Sequence, residues 1–77
     1  MNDDKQPATK LDHVLFSTSA HVYYTGDPEM RHEAVHYCAT LLDLLIFDVR
    51  HLTPKGKQLI KELPTALIEA DQNQSVH

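Results

Sequence analysis

The 77-residue chain contains one cysteine, Cys38, so no internal disulfide can staple it. A domain this short lies near the size at which a single hydrophobic core is marginal, so the missing staple points to a partner. Basic residues are in deficit: seven Lys and Arg against eleven Asp and Glu give a net charge of −4 with histidines neutral. That balance argues against a nucleic-acid surface, which is usually a basic face. No apolar run is long enough to span a bilayer, because 41–47 is interrupted by Asp43 and followed by Asp48. No leader-like stretch opens the chain, and with a lone reduced thiol a cytoplasmic location is expected. Internal repeats and low-complexity segments are also missing.

Six histidines are many for this length, and they could carry the net charge from negative to positive as pH falls. The expected organisation is a polar, disordered tail over 1–11, a single domain over 12–71 and a frayed tail over 72–77. Residues 12–26 (DHVLFSTSAHVYYTG) are rich in β-branched and aromatic types and predict an extended or β-hairpin segment. Gly26-Asp27-Pro28-Glu29 is a helix start, with Asp27 as N-cap and Pro28 in the first turn. Thr53-Pro54 repeats it. The prediction is therefore one long helix over 27–52 and a second over 53–71, kinked at Pro64. The second helix has Leu59, Ile60, Leu63, Ala66, Leu67 and Ala70 on one face. The fold class is mostly α (α+β): a short N-terminal extended segment followed by a long-helix αα-hairpin.

On the long helix, Val35, Cys38, Leu42, Leu45, Val49 and Leu52 recur at spacings of three and four, which is an a/d seam. Flanking Ala34, Leu41 and Ile46 widen it beyond what one neighbouring helix can cover. The expected outcome is a dimeric helical bundle that acts without enzymatic chemistry, binding itself and another protein. Phe47, Tyr23 and Tyr24 are candidates for an interaction surface. Lys55 and Lys57, beside the free N–H groups of a helix start, are candidates for an anion site, without the glycine spacing of a P-loop.

One string has the form of a catalytic motif. His32-Glu33-Ala34-Val35-His36 resembles the zincin metalloprotease signature, which implies zinc held by His32 and His36 and Glu33 as general base. Only under that resemblance is a cofactor expected. The resemblance also implies a third ligand on the following helix, for which Glu62 and Glu69 are available. Helical geometry turns the histidines roughly 130° from the seam at 100° per residue, away from the expected second helix. An extended segment before two helices also resembles the ribbon-helix-helix DNA-binding regulators. Between Leu11 and Met30, however, the chain has no Lys, Arg, Asn or Gln with which to read bases. The stretch LTPKGKQLIKEL resembles the helix after the wing in winged-helix repressors, but helix is expected before it. The LFS segment and the ALIEA helix resemble those of small bacterial proteins.

Overall fold

The computed structural model describes residues 4–75, with side chains through Gln72. It is mostly helical. The order is β1 (Gln6–Pro7), α1 (Lys10–Thr25), α2 (Pro28–Leu44), β2 (Leu45–Ile46), a 3-10 turn (Val49–His51) and α3 (Pro54–Ser75). The three helices touch one another pairwise and form a slab of 38 × 28 × 17 Å.

Residues 12–25 are helix, which corrects the extended segment expected there and removes the ribbon that the ribbon-helix-helix reading needs. Thr9 starts α1 with a capping box: its hydroxyl accepts from Asp12 N–H, while the Asp12 carboxylate accepts from Thr9 N–H at 2.8 Å. His13, Phe16, Ala20 and Tyr23 then form the buried face. Their spacings of three and four are helical, but a histidine and an alanine among four positions disguise the stripe. Gly26 ends α1, its N–H bonded to Val22 O. A Cβ there would lie 2.7 Å from that same oxygen, so this close approach needs glycine.

Asp27 caps α2 through Met30 N–H and Pro28 occupies the first turn, as the sequence predicts. The helix stops at Leu44 instead of reaching residue 52. Leu45 and Ile46 turn extended and pair parallel with Gln6 and Pro7, and Ala8 N–H bonds Ile46 O at 2.8 Å. Lys5 Nζ closes the α2 C-terminus on Leu42 O at 3.0 Å. Residues 4–11 are thus partly structured, against the tail expected at 1–11; residues 1–3 of that tail lie outside the described residues. Phe47 swings inward and packs on Phe16 and His13, with ring centroids 5.0 and 5.3 Å apart. Asp48 caps the 3-10 turn by accepting from Arg50 N–H.

Thr53 caps α3 through Gly56 N–H, and its own N–H donates to Ser17 Oγ on α1 at 3.2 Å. Pro64 lies within α3, which continues to Ser75, past the expected end at residue 71. Of the expected frayed tail, residues 76–77 lie outside the described residues. α3 buries Leu59, Ala66 and Ala70, with Ile60, Leu63 and Leu67 packed against the core.

The predicted seam is therefore divided. Val35 and Cys38 are fully buried on α2 and Leu42 is half-buried, all inside the chain's own core. Leu45 lies on β2, Val49 is 46 % exposed in the 3-10 turn, and Leu52 is buried beyond it. The argument that one copy cannot keep these side chains dry is corrected: α1, absent from the predicted architecture, covers much of that surface.

Candidate functional site

Two regions hold most of what the described residues offer chemically, and α2 contributes a different flank to each.

The first region is the outer face of α1. At 100° per residue, Leu11, Val14, Leu15, Thr18 and Val22 fall on the arc opposite the buried face. Leu11 and Val14 are 63 % and 57 % exposed. No Asp, Glu, Lys or Arg interrupts 13–26 of the chain. Two grooves run beside this ridge. One, of about 440 Å3, separates α1 from α2 and is lined by Thr18, Val22, Met30, Glu33, Ala34 and Tyr37. Met30, Tyr37 and Leu44 lie seven residues apart on that flank of α2, and all three are exposed. The other groove, of about 590 Å3, lies toward the start of α3, with Val14, Ser17, Thr18, His21, His51 and Lys55 among its lining residues. Thr18 lines both grooves, so Glu33 and Lys55 stand on opposite sides of the ridge at its level.

Of the nine large hydrophobics exposed among the described residues, six lie on this face: Leu11, Val14, Leu15, Met30, Tyr37 and Leu44. The surface residues named from sequence lie elsewhere. Tyr23 is buried under the Arg31 guanidinium, 4.7 Å from its ring centre, and Arg31 Nε donates to Tyr23 O. Tyr24 is half-buried and donates its hydroxyl to Glu62 at 2.9 Å; burial, then Glu62, raises its phenol pKa. Phe47 belongs to the core edge. Of the proposed anion-site lysines, Lys55 lines the larger groove and Lys57 is exposed outside its lining, while Thr53 Oγ1 already takes the Gly56 N–H.

Beneath the ridge, His13 ties the ends of the fold together. Its Nδ1 lies 2.7 Å from Thr9 O, and its Nε2 accepts from Asp48 N–H at 3.0 Å. Those partners place the ring proton on Nδ1. Cys38 is buried with its thiol directed at Phe16 O, and burial pushes its pKa up to about 12, which suits an inert core thiol.

The second region is on the other flank of α2, which faces α3. His32 and His36 lie with ring centroids 4.5 Å apart and planes tilted by 58°, and His36 Nε2 meets Asp71 Oδ1 at 3.1 Å. The expectation that these histidines turn away from the second helix is corrected. α2 packs against both α1 and α3, and its histidine flank is the one that meets the C-terminal part of α3. One ring nitrogen from each histidine and one Asp71 oxygen lie within 4.8 Å of one another. Asp71 was missed because an αα-hairpin turning at residue 53 aims it elsewhere. Glu62 is instead held by Tyr24 and Gln58, and Glu69 borders a small cavity beside His32. Glu33, the expected general base, is outside this cluster and lines the α1 groove. His32 Nδ1 is the buried side-chain polar atom without a hydrogen-bond partner among the described residues, a state that costs about 1–3 kcal/mol.

No protein-family model, curated protein or solved structure matches the chain.

Proposed function

We propose that the chain is a non-enzymatic interaction module that associates as a homodimer through the outer face of α1. The observation that carries this reading is the concentration of exposed apolar side chains on one uncharged ridge, with Glu33 on one side and Lys55 on the other. Exposed hydrophobics scattered singly need no explanation, whereas a contiguous patch rimmed by polar groups marks a contact surface. The exposed parts of these six side chains amount to on the order of 500 Å2 per copy, so two copies approach the low end of specific interfaces, about 1,200 Å2 in total.

Charge favours a second copy as the occupant. Chains carrying −4 repel one another over most of their surface, and least where charge is sparse. A two-fold axis running along α1 lays ridge on ridge and brings the Glu33 side of one copy against the Lys55 side of the other. Both salt contacts then form at once, as an isologous interface requires. The seam expected on the long helix has no part in this arrangement, because Val35 and Cys38 are consumed inside the chain.

The test is sedimentation of wild type, Glu33→Lys, Lys55→Glu and the double exchange. A dimer weakened by each single reversal and restored by the double supports the reading. A chain that stays single at every concentration, or singles that do not differ from wild type, contradicts it.

A further inference from the structure

Independently of association, we infer that His32 and His36 of α2 and Asp71 of α3 form a binding site for a divalent late transition-metal ion, zinc being the expected occupant. Three observations converge. The donor atoms of the three side chains already lie within 4.8 Å of one another. A four-coordinate zinc with bonds of about 2.0–2.1 Å spaces its ligand atoms about 3.4 Å apart, and the His36–Asp71 pair stands at 3.1 Å. With every separation within 4.8 Å, closing the set onto one ion needs shifts of at most about 1.4 Å, on the scale of small side-chain torsions. Finally, His32 keeps Nδ1 shut from solvent with no hydrogen-bond partner among the described residues. A cation held at that nitrogen would relieve the orphan.

Donor chemistry selects the ion class. Two imidazoles and one carboxylate suit zinc and its neighbours in the first row, whereas calcium and magnesium require oxygen ligands throughout. Asp71 and the outer edge of His36 face solvent, so a coordination position stays open outward. The order in which the ligands reach the ion follows from the fold. His32 and His36 are one turn apart on a single helix and form the fixed part. Asp71 comes from the far end of α3, seven residues past Pro64. Binding would therefore clamp the C-terminal half of α3 onto α2.

This differs from what the HEAVH string implies. Its third ligand is Asp71 and not a glutamate, and Glu33 takes no part, since it lines the groove on the opposite flank.

The experiment titrates Zn2+ into the full chain, purified without a histidine tag and freed of metal by chelation. Binding heat, thermal unfolding and amide exchange over residues 65–72 are followed. The expected result is one zinc per chain, a melting temperature raised by several degrees in excess zinc, and slowed exchange in that segment. Asp71→Asn and His36→Ala each weaken binding at least roughly tenfold with the far-UV spectrum preserved, while Asp43→Asn does not. Asp71→Asn changes an exposed side chain, so it keeps the test decisive if His36→Ala unfolds. No binding through roughly millimolar zinc, or binding that Asp71→Asn leaves unchanged, would overturn the site.

Discussion

Replacing His13 tests how the two ends of this small fold are joined. The ring donates from Nδ1 to Thr9 O at the start of α1 and accepts Asp48 N–H in the connector between α2 and α3. Thr9 O keeps a second donor, His13 N–H, when the ring is removed, so the loss falls on Asp48 N–H. An orphaned, partly buried N–H costs about 1–3 kcal/mol. Phe47 and His51 also meet the His13 ring edge-on, at 5.3 and 5.2 Å, and such contacts contribute about 0.5–1.5 kcal/mol each. His13→Ala is therefore expected to destabilise by roughly 2–6 kcal/mol. That is a large share of the 5–15 kcal/mol typical of a domain, and is worth roughly 10 °C or more in melting temperature. His13→Phe separates the two parts, since it keeps a ring in place and loses only the polar links, about 1–3 kcal/mol. Urea unfolding followed by far-UV circular dichroism, at one fixed protein concentration, measures both. A His13→Phe variant as stable as wild type would refute the reasoning, because packing alone would then account for the buried histidine.

Three further outcomes follow from local chemistry. Thr9→Ala removes the hydroxyl that caps α1 and is expected to cost about 1 kcal/mol in the same urea assay, with Thr9→Ser close to wild type. Asp48 is held well below the usual carboxylate range by the Arg50 guanidinium, and Asp12 is lowered by Thr9 N–H and then the Thr9 hydroxyl. Both pKa values are depressed in the fold, so their stabilisation is present above about pH 4 and is lost as pH falls through the folded values. Asp48→Asn should accordingly flatten the acid limb of a stability-against-pH curve; an unchanged limb would reject this assignment. Cys38, fully buried with a raised thiol pKa, should react with a thiol reagent only at the rate of global opening, as a labelling time course in increasing urea would reveal.

How much of this fold is legible in the residues differs from element to element. Asp27-Pro28 and Thr53-Pro54 act where cap chemistry puts them, because a cap is a local interaction. The face of α3 is similarly plain, since Leu59, Ala66 and Ala70 keep helical spacing among polar neighbours. α1 is disguised by its own composition. Threonine, valine, phenylalanine and tyrosine favour extended chain when counted singly, and here tertiary burial of Phe16 and Tyr23 overrides that preference. The Thr9–Asp12 capping box was the available signal, with Asp in place of the usual Glu or Gln. The end of α2 has no local mark, because no glycine or proline lies between Pro28 and Pro54. It stops where β2 finds β1 and Phe47 finds Phe16, contacts between parts of the chain some 30–40 residues apart. Of the metal cluster, the two histidines are legible at one-turn spacing. Asp71 is not, because its position depends on which flank of α2 receives α3.

The most direct measurement of the proposed association is a cysteine introduced at the ridge centre. Cys38 is buried and inert, so Thr18→Cys provides the single reactive thiol. With the two-fold axis running along α1, Thr18 of each copy faces its counterpart. Mild oxidation of dilute Thr18→Cys should then produce a disulfide-linked dimer rapidly, while Asp43→Cys, on the polar flank of α2, stays monomeric. Equal, slow linking of both variants would contradict the association through α1.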